Sequence, residues 1–145
     1  LELNDIPKEP SMLGKANIVN EGKDITIVSY SNMVNVAKEA IADEELQNCS
    51  IELIDLQTVS PIDYDTIKTS LKKTKKLLVC QEAPSNSSVG TTVISKIVES
   101  ELFQELEIAP KLVSGLHSPM PSAKHLELNV IPQVEDITSA VKSML

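Results

Sequence analysis

The sequence predicts an α/β fold: a three-layer domain with a mostly parallel five-stranded sheet, one antiparallel edge strand, and helices on both faces. Three observations predict it. Strand-like and helix-like segments alternate from residue 14 onward, the pattern of a parallel sheet joined by right-handed crossovers. The strand candidates are almost continuously apolar, as strands covered on both faces must be. Finally, 145 residues fit one domain, which can hide roughly 70% of its unfolded surface without disulfides or metal.

Residues 1–13 carry two prolines and no period, and read as a linker or arm from a preceding domain. The domain proper is residues 14–145. Residues 17–20 form a short first strand, and the turn 21–24 leads into the β-branched run 25–30, an arrangement that favours an antiparallel hairpin. Met33, Val36, Ala37, Ala40 and Ile41 make a helical stripe, capped by Ser31 or Asn32 and closing near Asn48. Residues 51–56 are the third strand. A second helix starts at Ser60, with Pro61 in its first turn and Ile67 and Leu71 inward, and Lys72, Lys73, Lys75 and Lys76 suit its negative end. Residues 77–80 are a buried fourth strand running into a loop, 81–88. Val93, Ile94, Ile97, Val98 and Leu102 give the next helix, and residues 111–114 the fifth strand. A proline-rich loop, 115–121, precedes a last helix carrying Val134, Ile137 and Val141.

Composition narrows the function. The chain is 41% hydrophobic but only 2% aromatic, so its core is aliphatic. Net charge is −8, and all 13 basic residues are lysine. Without arginine forks or an aromatic stacking platform, nucleic-acid binding is excluded. No apolar run reaches the roughly 18 residues that span a bilayer, so no membrane partner is expected. Cys49 and Cys80 match no metal or redox spacing.

Chemistry is hard to find. There is no G-x-G-x-x-G and no phosphate-binding Gly-Lys-Ser/Thr loop. The loop 81–88 sits where parallel-sheet proteins bind ligands, and Glu82 with Ser85, Ser87 and Ser88 offers a small-anion site at a helix N-terminus. The alternative is that one serine caps the helix while Glu82 and Pro84 pack against a neighbouring chain. His117 and Ser118 lie in the proline-rich loop without a nucleophile elbow, so they make no hydrolase triad. The expected catalytic, cofactor-binding and metal-binding sets of this stretch are therefore empty.

Six segments, in order, carry a family resemblance: LGKA at 13–16, EGKDITIV at 21–28, IDLQTVSPID at 54–63, EAP at 82–84, PMP at 119–121 and IPQVEDI at 131–137. Together they resemble the C-terminal domain of the transketolase superfamily, most closely that of the β subunit of thiamine-diphosphate-dependent 2-oxo acid dehydrogenases of pyruvate or branched-chain type. The sequence departs from the family's pattern at Gln81, commonly His, and at 85–88, 116–117 and Ser122. The resemblance implies that thiamine diphosphate and Mg belong to other parts of the parent enzyme, and that this stretch alone is inactive. It implies an assembly role instead. The subunit interface would include Glu82, Pro84, Ser118, Pro119 and Pro121, meeting the α subunit and a second β subunit. Glu105, Glu107 and the terminal carboxylate at Leu145 would dock the basic subunit-binding domain of the lipoyl acyltransferase. A severed domain would self-associate. The implied compartment is the bacterial cytoplasm or a mitochondrial or plastid matrix. The alternatives are the matching domain of a transketolase or deoxyxylulose-phosphate synthase, and a stand-alone small-anion-binding module.

Overall fold

The computed structural model describes residues 12–145, so most of the expected arm at 1–13 lies outside the described residues. Five strands, β1 (Asn17–Asn20), β2 (Ile25–Ser29), β3 (Ile51–Asp55), β4 (Leu77–Pro84) and β5 (Lys111–Gly115), form one sheet in the order β1-β3-β2-β4-β5. β2 pairs in parallel with β3 and β4, and β4 with β5; only the β1–β3 pair is antiparallel. Helices α1 (Met33–Ile41) and α5 (Val134–Lys142) cover one face, α2 (Tyr64–Thr74) and α3 (Val89–Val98) the other, and a short α4 (Lys124–Glu127) follows the proline-rich loop. The predicted fold class stands.

Strand alternation divides the core in two. Ile25 and Ile27 of β2, Leu53 of β3 and Leu78 and Cys80 of β4 pack under α1 and α5 with Met33, Ala37, Ile137 and Val141. Val28, Ile54, Leu77 and Val79 face the other way, against Ile67 and Leu71 of α2 and Val93 and Ile97 of α3.

Four sequence expectations need correction. First, β1 does not form a hairpin with β2; it pairs with β3 at the sheet edge. Every residue of β2 is buried, so that strand takes a neighbour on each side, whereas the largely exposed β1 tolerates an edge. The connecting turn instead crosses the start of β3: the Lys23 and Asp24 amides both donate to the Ser50 carbonyl, at 2.9 and 2.8 Å. Only glycine fits at Gly22, where a Cβ would lie 2.1 Å from the Ile51 carbonyl carbon. Second, α1 ends at Ile41, not near Asn48. Asp43 caps a separate 3₁₀ turn, Glu44–Leu46, through a bond from the Glu45 amide, and the turn buries Leu46. Third, the cap of α2 is Asp63, which accepts the Thr66 amide at 3.2 Å; Ser60 precedes the helix, and its bond to Pro61 is cis. Asp63 wins because it is buried and also accepts the Thr66 hydroxyl at 2.8 Å and the Ala16 amide at 3.1 Å. Fourth, the stretch 81–88 is not all loop. β4 continues to Pro84, with Gln81 opposite Ser114 and Pro84 opposite Gly115 across a bulge.

Candidate functional site

In an open parallel sheet the natural binding edge lies beyond the carboxyl ends of the strands. Here that rim is built by Tyr30 to Asn32 after β2, residues 56–63 after β3, the end of β4 with 85–88, and residues 116–121 after β5. Ser31, Gln57 and Ser87 adopt positive φ angles of 58°, 53° and 50° at three of the turns.

Two of the rim's sequence motifs turn out to be one structure. The segment 14–16 is tied to the loop after β3: the Gly14 amide donates to Thr58 Oγ1 at 3.1 Å, the Ala16 amide to Asp63, and Lys15 Nζ stands 3.7 Å from the same carboxylate. Burial pushes the Asp63 carboxyl up, but these bonds outweigh it and hold it below the usual carboxylate range.

The expected interface residues are partly brought together. Pro84, Ser118 and Pro119, with His117, line an open cavity of about 320 Å³. Glu82 is half-buried on the β4 bulge, and Pro121 is half-buried at the far end of the loop. Leu116 and Met120 leave 59% and 55% of their surface exposed, so the rim is apolar as well as polar.

The expected docking residues line two neighbouring cavities. Glu105 ends a 3₁₀ turn, Glu101–Glu105, and lines a cavity with Asp65, Lys68 and Lys72 of α2. Glu107 and Leu145 line the other, near the amino ends of β2 and β4, with Lys23, Lys73, Lys75 and Lys76. Glu107 stands 3.9 Å from Lys76, and Glu99 2.9 Å from Lys96.

The helix N-terminus after the rim loop is already occupied. Ser88 and Thr91 form a capping box, the Gly90 amide donates to Gln81 Oε1 at 2.7 Å, and the Thr92 amide to the Ser88 carbonyl at 3.0 Å. These bonds leave little for an anion to take. His117 is exposed, and the Ser118 hydroxyl reaches only the Pro119 carbonyl, at 3.4 Å. Among the described residues, no three His, Cys, Asp or Glu side chains converge as metal ligands, and no helix is long and apolar enough to cross a membrane.

Gln81 is the site residue that sequence reading undervalued. Its buried amide donates to the carbonyls of Ala83 and Pro84, at 2.9 and 3.1 Å, while accepting from Gly90. The available signal was a polar residue directly after a fully apolar strand. Tyr30 was also missed. Its phenol is pushed up, chiefly by burial and then by the charge of Glu82.

Comparison with known proteins places this geometry. Residues 14–137 match the family described as "Transketolase, C-terminal domain". The chain is 39% identical over 142 residues to the pyruvate dehydrogenase E1 component subunit beta of Rickettsia conorii, covering 97% of this chain and 43% of that protein. It is 38% identical over 130 residues to the mitochondrial subunit beta-2 of Oryza sativa subsp. japonica, covering 90% of this chain and 34% of the relative. The chain thus spans less than half the length of the curated relatives it matches. Among solved structures, a "split gene transketolase, inactive beta4 tetramer" superposes with a TM-score of 0.75 at 25% identity, over 97% of this chain and 44% of that one. A 2-oxoglutarate:ferredoxin oxidoreductase from Magnetococcus marinus shares the fold, with a TM-score of 0.56 at 15% identity, over 90% of this chain and 19% of that one.

Proposed function

Because the chain belongs to the family of transketolase C-terminal domains, we propose that it is the non-catalytic C-terminal module of the β subunit of a pyruvate-type 2-oxo acid dehydrogenase. The observation that carries this reading is the 39% identity to a pyruvate dehydrogenase β subunit, extending over 97% of the chain. The role follows from what the rim holds. It has apolar surface and a shallow cavity. Its α3 amides are taken, so a diphosphate finds no cradle there, and no acidic cluster among the described residues suits magnesium. On the family resemblance, thiamine diphosphate and its metal belong to other parts of the parent, and this module contributes surface.

That surface has two proposed uses. The rim, with Glu82, Pro84, Ser118, Pro119 and Pro121, meets the α subunit or a second β subunit. Glu105, Glu107 and the carboxylate of Leu145 dock the basic subunit-binding domain of the lipoyl acyltransferase. A double reversal, Glu105→Lys with Glu107→Lys, should slow that association and flatten its salt dependence; unchanged kinetics would sink the docking role. A compartment of bacterial cytoplasm or organelle matrix fits relatives from both settings.

The decisive assay is thiamine-diphosphate-dependent decarboxylation of pyruvate and branched-chain 2-oxo acids, by the chain alone and by the full-length β subunit joined to its α subunit. Turnover only in the assembled form, with pyruvate preferred, is the expected result. Turnover by the isolated chain would overturn the non-catalytic reading, and preference for another acid the substrate. A second reading, the matching domain of a transketolase, is favoured by the 0.75 TM-score to the split-gene transketolase. Ketol transfer between sugar phosphates by the assembled parent would establish it.

A further inference from the structure

The two edges of the sheet are finished differently. β1 has four residues, breaks register between Ile18 and Asn20, and turns the Asn20 side-chain amide onto the Ile51 carbonyl at 2.6 Å. Short, bulged edges resist further pairing. β5 keeps an unbroken register with β4 from Lys111 to Ser114. The lysine that opens it is drawn aside, its Nζ donating to Ser143 Oγ at 2.7 Å. A cavity of about 360 Å³ is lined jointly by Leu112, Val113 and Ser114 of β5 and by Val130, Ile131 and Asp136, and no lysine lines it. The side chains of Leu112 and Val113 leave to opposite faces of the sheet, one towards the core under α2 and α3, the other towards that under α1 and α5. A cavity that touches three successive strand residues therefore runs along the strand's edge. The segment after α4 bonds the chain just past β5, where the Leu116 amide donates to the Val130 carbonyl at 2.9 Å.

In a parallel ladder, successive residues turn their amide and carbonyl to opposite neighbours. Among the described residues the backbone of Leu112, Val113 and Ser114 bonds only β4, so at least one of the three presents an unpaired amide and carbonyl to the groove. Extended backbone satisfies such an edge, and the flanking surface then selects its side chains. Here that surface carries the aliphatic Val130 and Ile131 and the carboxylate of Asp136, on a chain of net charge −8. We propose that the free edge of β5 is a strand-addition site, where an extended segment of another polypeptide, bearing a lysine or arginine for Asp136, lies as a sixth strand. A second copy of this chain is a poor occupant. Paired edge to edge, each copy would bring its own residues 129–132 into the gap, together with a like charge.

The test titrates the full-length parent chain with a capped hexapeptide alternating lysine and valine, and follows amide hydrogen exchange at residues 112–114. Its controls are the same peptide with glutamate for lysine, and the lysine peptide N-methylated at alternate amides in each phase. The lysine peptide should slow exchange at the β5 edge about tenfold and bind about tenfold more tightly than the glutamate peptide. N-methylation in one phase keeps the charge but removes the ladder, so the protection should disappear. Asn129→Trp, which fills the groove from its wall, should abolish binding, and Asp136→Asn should narrow the preference for lysine over glutamate. A lysine peptide that binds without protecting residues 112–114, or equally well when N-methylated in either phase, is held by charge alone, and strand addition is overturned. Equal affinity for the glutamate peptide overturns the basic partner. If no peptide binds, the proposal fails, and a wild-type dimer that Asn129→Trp dissociates in sedimentation would then identify a second copy as the occupant.

Discussion

Glu52 and Glu82 are carboxylates at opposite ends of the same sheet, and they are used in opposite ways. Glu52 is wholly buried on β3, where Oε2 accepts the Gly22 amide at 3.2 Å and the ammonium of Lys73. The Thr26 and Thr74 hydroxyls, also buried, bond each other at 2.6 Å between β2 and α2. At that end polar groups are spent inside the domain, pinning the β1–β2 turn to α2. At the rim, only the backbone carbonyl of Glu82 is closely packed, against Gly115, and its carboxylate joins no ion pair among the described residues. An internal partner marks a charge that maintains the fold.

The comparison is tested most sharply at Glu52. Glu52→Ala strands the buried Gly22 amide, frees the half-exposed Lys73 ammonium and opens a void, so it should cost about 2 kcal/mol, read from urea unfolding near neutral pH. The pH dependence has a defined sign. Burial pushes the Glu52 carboxyl up, but the hydrogen bonds from Lys73 and Gly22 and the charge of Lys73 help hold the group below the ordinary 4.5. A carboxyl depressed in the folded state stabilises above its unfolded pKa, and that contribution is lost as pH falls through the folded value. The difference in stability between wild type and Glu52→Ala should therefore shrink below about pH 4.5. A constant difference down to strong acid would mean that packing, not charge, is what Glu52 supplies.

Gln81→Leu tests the support under the rim. The variant leaves the buried Gly90 amide and two carbonyls without their partner, and about 2 kcal/mol of destabilisation is expected from chemical denaturation. Hydrogen exchange should accelerate at Gly90 while the β2 amides keep their protection. Uniform acceleration across both regions would show that the bulge is not a separate latch but part of the central core.

How much of this could be read beforehand divides along the same line. The architecture was legible because alternation and burial are local signals: Ile25, Ile27 and Val28 announce a covered strand, and Val134, Ile137 and Val141 a helix face. Partner choice was not legible. Whether β1 pairs with β2 or β3 depends on the demand of β2 for two neighbours, a property of the whole sheet. The cap at Asp63 was displaced from Ser60 by a contact to Ala16, 47 residues earlier, which no window around the helix contains. At the site, the segments 82–84 and 119–121 were visible as motifs, and the sheet brings Pro84 and Pro119 to one cavity. Tyr30 and Gln81 escaped because a tyrosine ending a strand and a glutamine following one acquire meaning only from what stands across the bulge.

The smallest expected effect is the most discriminating. If the charge of Glu82 is spare, Glu82→Gln should change folding stability by less than about 0.5 kcal/mol, within the range of surface substitutions. Its signature should appear instead on Tyr30. Burial, and after it the negative charge of Glu82, pushes that phenol up, because both disfavour the phenolate. Removing the charge leaves the burial, so Tyr30 should titrate at a lower pH in Glu82→Gln while remaining above the usual tyrosine value. The phenolate absorbance can be followed in a Tyr64→Phe background, which leaves Tyr30 as the single tyrosine. Lowered titration with unchanged stability would identify Glu82 as charged and unspent. Destabilisation equal to that of Gln81→Leu would mean that Glu82 is consumed inside the fold as Glu52 is, and the contrast between the two ends of the sheet would collapse.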